Sequence, residues 1–290
     1  MAYVDAEIAS QPECWQRALE LTPKGLPEPG ERVAIVGCGT SLYIAQAYAA
    51  LRESLGLGET DAFAASEFPA HRRYDRVVAL TRSGTTTEVL DALARTRSGA
   101  TVAITGDLST PVVDAAQNVV ALEFADEQSV VQTRFATTAL VLLRAHLGAA
   151  PSDLPAQAQQ ALEAALPERA ISSKQFTFLG TGWTSGIAHE AALKVREASS
   201  SWTESYPAME YRHGPISVSS SESTVWFFGE PPAGLLGQIA LTGAPAVVAT
   251  RDPLAELVRV QRLAVELAKA RGLDPDRPRN LTRSIVLDQP

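Results

Sequence analysis

Short β-branched runs alternate with stretches of helical periodicity along most of the chain, and this alternation limits the fold more than any other feature. RVAIVG (32–37), RVVALT (76–81), TVAIT (101–105) and NVVALEF (118–124) read as strands. Between them, SLYIAQAYAALRESLG, TTEVLDALARTR and PVVDAAQ repeat apolar residues at helical spacing. Strand, helix, strand, helix implies a parallel sheet with helices on both faces, because parallel neighbours need a crossover and a helix supplies it. TRFATTALVLLRAHLG then closes the first half as a long, mostly apolar helix.

Residues 149–170 bring prolines and an Ala/Gln/Glu-rich helical segment, which reads as a connection. The pattern restarts with FTFLGTG (176–182), TVWFFGE (224–230), PAVVAT (245–250) and SIVL (284–287). RVAIVGCGTSLYIAQAYAAL and QFTFLGTGWTSGIAHEAAL both run from an apolar strand through G-x-G into an alanine-rich helix, the mark of a degenerate internal repeat. The expected fold is therefore α/β: two doubly wound parallel-sheet lobes, each a flavodoxin-like three-layer α/β/α unit. The lobes are expected at 1–150 and 171–290, with a connecting helix at 151–170.

The formal net charge of -8 argues against a nucleic-acid partner, which needs clustered basic residues to displace counterions. The two cysteines, Cys14 and Cys38, make no disulfide framework, and no basic-then-apolar leader opens the sequence. No apolar run reaches the ~18 residues of a membrane span. These features predict a soluble cytoplasmic protein without a membrane partner. The four histidines, His71, His146, His189 and His213, have no metal-ligand spacing, so no metal is expected.

The segment VALTRSGTTTEV (78–89) crowds hydroxyls around a glycine where a strand gives way to a helix. Two readings stay open. Thr85 and Glu88 have the spacing of a helix capping box. Alternatively, Gly39, Thr40 and Ser41 after the first strand and Thr81, Arg82, Ser83, Gly84 and Thr86 after the next converge on a phosphate group, with Arg82 as a charged donor. A dinucleotide turn is disfavoured because Gly37 and Gly39 lack the third glycine of G-x-G-x-x-G, and no Walker loop is present. No cofactor is expected.

In SGIAHEAALKVREAS, Glu190, Lys194 and Glu197 share one helix face at i, i+4 and i+7. That pattern describes either a solvated stripe with paired charges or a carboxylate and a cation held for chemistry. His213, before a Gly214-Pro215 turn, is the natural proton carrier near neutral pH.

Together CGTS (38–41), SGTTTE (83–88), the Glu-x-x-x-Lys-x-x-Glu face, HGP (213–215) and DPDRPRNLTRS (274–284) resemble the sugar isomerase (SIS) family. The pattern is most similar to a double-SIS isomerase domain, and the likeness runs from about residue 30 to the end of the chain. The resemblance implies two SIS lobes, with the C-terminal tail closing the site. It also implies a sugar phosphate held by Ser41, Thr81, Ser83 and Thr86, with Arg82 at an intervening contact and Val130 and Gln132 lining a loop over the sugar. It makes Glu197 the base that moves a proton between C1 and C2, and His213 the ring-opening acid, lent by the neighbouring subunit of a homodimer. Lys194 is implied as an electrostatic neighbour.

Two departures sharpen the expectation. Only ~30 residues precede the first strand, too few for the glutaminase domain found in some double-SIS enzymes. Arg283 stands where those enzymes carry a Schiff-base lysine, and arginine cannot form that imine. An amino sugar avoids the need, since its own C2 nitrogen becomes the imine. The sequence thus points to a phosphosugar aldose-ketose isomerase or deaminase, with glucosamine 6-phosphate giving fructose 6-phosphate and ammonia through an enolamine. The alternatives are an isomerase of another hexose phosphate or of a fructosamine-type adduct, and a phosphosugar sensor without turnover.

Overall fold

The computed structural model describes residues 2–97 and 99–287. Helices α1 (Tyr3–Ala9) and α2 (Gln11–Glu20) precede the first lobe, which runs β1 (Val33–Gly37), α3 (Thr40–Ser54), β2 (Thr60–Ala64), β3 (Arg76–Thr81) and α4 (Thr87–Arg95). It continues through β4 (Ala100–Thr105), α5 (Val112–Ala115), β5 (Asn118–Ala121) and α6 (Arg134–His146). Helices α7 (Leu154–Glu163) and α8 (Glu168–Ile171) lead to the second lobe, β6 (Gln175–Gly180), α9 (Thr184–Ser199), β7 (Trp202–Pro207) and β8 (Ser223–Phe228). The lobe ends with α10 (Leu235–Thr242), β9 (Ala246–Val248) and α11 (Pro253–Ala270).

Both sheets are parallel, in the orders β2-β1-β3-β4-β5 and β7-β6-β8-β9. The expected pair of doubly wound lobes is present. Strands β1, β3, β4, β6 and β8 are covered on both faces and so read as continuous apolar runs. Strands β2 (TDAFA) and β7 (WTESYP) are partly exposed edge strands whose mixed composition hid them in the sequence. SIVL (284–287) is not a strand. Its apolar residues are roughly half exposed, and its backbone bonds to the start of α4 instead of to a sheet.

One apolar core joins the lobes, running from Trp15 and Tyr48 through Leu140 and Ile187 to Trp226 and Leu257. Smaller cores back the outer sheet faces, around Val36, Phe68 and Val89 in one lobe and Leu179, Tyr211 and Ile239 in the other. Helices α3 and α9 meet closely where Gly186 faces α3. A Cβ there would lie 2.6 Å from Ala47 N and 2.7 Å from the Tyr43 carbonyl oxygen. Through that contact α9 reaches the loops that follow β1 and β3, where the chain leaves β1 toward one sheet edge and β3 toward the other and open α/β sheets bind their ligands.

Candidate active site

The loop after β1 turns through Gly39, whose φ of +55° suits glycine, and enters α3 at Thr40. Thr40 and Ser41 are buried. The loop after β3 folds on itself: Gly84 N donates to Thr81 Oγ1 at 3.2 Å, and Thr85 N donates to Ser83 Oγ at 3.3 Å. Gly84 has φ of +64°, and a Cβ there would run into the Thr110 side chain, so the turn has no room for another residue. The Thr85/Glu88 capping box does not form. Thr86 is the N-cap of α4 and makes no side-chain cap bond, while Thr85 Oγ1 turns to Ser83 Oγ at 3.2 Å.

A cavity of about 180 Å³ opens between these loops, α9 and the C-terminal tail. Gly39, Thr40, Thr86, Val130, Gln132, Lys194, Glu197 and Arg283 line it. Of the other residues expected there, Ser41, Thr81, Ser83 and Gly84 do not line it, but Ser83 Oγ donates at 3.1 Å to Ser284, which does. Gln132 Oε1 is buried without a hydrogen-bond partner, an acceptor left available to a hydroxyl or an amine.

Arg82 does not supply a charged donor to the socket. Its guanidinium is buried and donates to the carbonyls of Ser129 and Arg283, each at 2.9 Å. It also lies 3.8 Å from Glu127. Burial holds the Arg82 pKa below its usual value against the opposing pull of Glu127. Glu127 in turn accepts from Thr133 N at 2.6 Å and Arg134 N at 2.8 Å, pinning the loop that carries Val130 and Gln132. The expected donor is therefore a structural cation, drawn toward the buried carboxylate and carbonyls behind the socket.

On α9 the solvated-stripe reading fails. Glu190 and Lys194 are fully buried; Lys194 and Glu197 line the cavity, and of the three only Glu197, with 21% of its side chain exposed, also meets solvent. Lys194 Nζ donates to Glu197 Oε2 at 2.5 Å and lies 3.6 Å from Glu190 Oε1. Burial pushes the Glu190 carboxyl up to about 8, against the attraction of Lys194 and with the help of repulsion from Glu197. Burial alone would depress Lys194, but Glu190 and Glu197 together hold its ammonium above the ordinary lysine range. The trio is an ion pair, Lys194 with Glu197, backed by a buried Glu190 carboxyl whose charged form is disfavoured by burial. Glu190 shares this face without belonging to the set of residues that the family resemblance implies. Its i−4 spacing from Lys194 was the available signal.

His213 is exposed at the end of a 3₁₀ turn (Glu210–His213) in the second lobe and does not line the cavity. Arg283 does line it, but its guanidinium is engaged by Asp126 at 2.6 and 2.8 Å and donates to the Glu127 carbonyl at 3.1 Å. Cys38 also lines the cavity, and burial followed by the nearby Glu88 carboxylate pushes its thiol up to about 11. Among the described residues no group of three or more His, Cys, Asp or Glu side chains could hold a metal ion, and no helix is long and apolar enough to cross a membrane.

The model of the SIS domain matches residues 28–147, the stretch that contains β1 to β5, α6 and the hydroxyl-rich loops. This stretch is thus similar to the SIS domain. A Gloeobacter violaceus glutamine–fructose-6-phosphate aminotransferase is 30% identical over 89% of the chain and 52% of its own length. The chain spans about half the length of the curated relatives it matches. Among solved structures, a Thermotoga maritima glucosamine-6-phosphate deaminase superposes with a TM-score of 0.82 at 22% identity, covering 99% of this chain and 100% of that one. The C-terminal domain of a Francisella tularensis glucosamine-fructose-6-phosphate aminotransferase gives 0.79 at 21% identity, covering 96% and 98%. At these identities the structural likeness establishes the fold, a SIS lobe joined to a second parallel-sheet lobe.

Proposed function

We propose that the chain binds a sugar phosphate in the cavity beside α9 and shifts a proton between C1 and C2, the second lobe serving as a second SIS domain. The best-fitting reaction is deamination of glucosamine 6-phosphate to fructose 6-phosphate. The observation that carries this reading is the Lys194–Glu197 pair at 2.5 Å, with Glu197 on the wall of the same cavity as Thr40 and Thr86. Phosphate held by the loop hydroxyls and the start of α4 fixes one end of the sugar, so that binding energy remote from the reacting carbons positions them against the base.

Glu197 takes the proton from the carbon alpha to the carbonyl or imine, and Lys194 keeps the carboxylate ionised and oriented. Arg283 cannot supply an imine, and its salt bridge with Asp126 gives it a structural task. In an amino sugar the C2 nitrogen itself becomes the imine as the proton moves to C1. Water adds to that imine, and ammonia leaves. His213 serves ring opening from a second copy of the chain, which makes the working unit at least a dimer. A cytoplasmic setting fits this chemistry.

The test is release of ammonia and fructose 6-phosphate from glucosamine 6-phosphate, with Glu197→Gln as the control. Loss of turnover in the variant, with thermal stabilisation by fructose 6-phosphate retained, supports the assignment; surviving turnover sinks it. A sensor without turnover is the second reading, favoured by the position of His213 outside the cavity. Stabilisation by sugar phosphates without product release would select it.

A further inference from the structure

The hydroxyls of the proposed phosphate socket are already engaged by the chain itself. Ser284 Oγ, in the C-terminal tail, accepts from Thr85 Oγ1 at 2.9 Å and Ser83 Oγ at 3.1 Å, and lies 3.3 Å from Thr86 Oγ1. One residue further, the Ile285 carbonyl accepts from Thr87 N, the first amide of α4, at 3.1 Å. The donors that would receive phosphate oxygens are a helix-terminal amide and converging hydroxyls. Two tail oxygens take them instead.

We infer that residues 284–287 are a built-in competitor for the phosphate subsite, a strap that a sugar phosphate must displace in order to bind. The inference rests on the phosphosugar reading of the socket and adds its regulation. The strap is anchored at one end and weakly held beyond it. Arg283 is fixed by its double contact with Asp126 and by the Arg82 guanidinium, which donates to its carbonyl at 2.9 Å. Past that anchor, Ile285, Val286 and Leu287 are 49%, 65% and 56% exposed, so none of the three is held by a fully buried apolar side chain. What remains is the Ser284 hydroxyl cluster, the Ser284 carbonyl accepting from Thr282 Oγ1 at 2.9 Å, the Ile285 carbonyl and the bond from Leu287 N to Thr87 Oγ1 at 2.9 Å.

Neutral hydrogen bonds of this kind are weak when exposed, and a charged acceptor on the same donors is roughly twice as strong. A phosphate therefore wins the socket, while the Arg283 anchor keeps the strap close enough to return. Segments with few apolar contacts and exposed hydrogen bonds are the ones that open locally. The apparent affinity for phosphate is reduced by the fraction of molecules with the strap closed.

The test is calorimetric binding of inorganic phosphate and of fructose 6-phosphate to the full chain, to a chain ending at Arg283, and to Ser284→Ala. Competition predicts that truncation tightens both ligands about 10-fold, and that Ser284→Ala does so about 3-fold. Unchanged affinity overturns the competition, and weaker affinity overturns it by making Ser284 a ligand of the phosphate. In both of those outcomes, loss of binding on Ser83→Ala/Thr86→Ala would leave the socket reading standing. Binding insensitive to Ser83 and Thr86, or absent from every form, overturns the socket and the strap together. Hydrogen exchange gives an independent readout: fructose 6-phosphate should speed exchange at the Leu287 amide of the full chain, and a bound sugar that leaves Leu287 protected overturns displacement.

Discussion

Lys194 Nζ lies 2.5 Å from Glu197 Oε2 on α9, and the lysine side chain is almost wholly withdrawn from water. A cation placed there is stable only because two carboxyl groups share its surroundings, Glu197 in contact and Glu190 at 3.6 Å. Removing the cation leaves Glu197 without its partner beside a second buried acid. Lys194→Met should therefore lower unfolding stability by about 3 kcal/mol in urea titrations. A loss below about 1 kcal/mol would mean that the trio is not electrostatically closed in the way its distances indicate.

Glu190 should make stability fall with rising pH. Its carboxyl is pushed up to about 8 in the folded chain, while the unfolded chain ionises near 4.5, so between those values the folded state holds the extra proton. That contribution is fully present below about pH 4.5 and is lost as the pH rises through about 8. Glu190→Gln removes it. Relative to the parent, the variant should gain on the order of 3 kcal/mol between pH 5 and pH 8, measured as the change in the stability difference and not as its absolute value. A pH-independent difference would show that Glu190 is ionised throughout.

Gly186 controls how closely α9 approaches α3. With only 2.6 Å between a built Cβ and Ala47 N, any side chain must push the helices apart or bend them. Gly186→Val should cost about 3 kcal/mol and displace the Glu197 carboxylate from the Thr40 loop. Affinity for fructose 6-phosphate should weaken along with stability, and a variant as stable as the parent would contradict the close packing.

Cys38 sits on the cavity wall with its thiol raised to about 11 by burial and by Glu88. The thiolate is the reactive form, so alkylation by iodoacetamide at pH 8 should run roughly two orders of magnitude slower than for a free cysteine. Fast labelling of Cys38, located by peptide mapping, would show that the thiol meets solvent or a cation.

Central strands were legible because both of their faces are covered, which forces an unbroken apolar run that sequence displays directly. Edge strands β2 and β7 carry residues such as Asp61, Glu204 and Ser205 and were not legible, whereas edge strands β5 (NVVA) and β9 (AVV) keep an apolar composition and were. Thr40, Thr86, Lys194 and Glu197 were placed at the site by motif and helical spacing, and the structure brings them onto one cavity.

What the sequence determined by itself was local: strand and helix order, the glycine turns after β1 and β3, and which side chains share a face of α9. These follow from backbone sterics and periodicity within a few residues. Tertiary structure alone decided that Arg82 turns back to Ser129 and Arg283, that Glu190 is buried deeply enough for its carboxyl pKa to be pushed up, and that Ser284 enters the socket from 201 residues away. Each depends on desolvation or on a partner distant in the chain, and neither has a signature in the residues on either side.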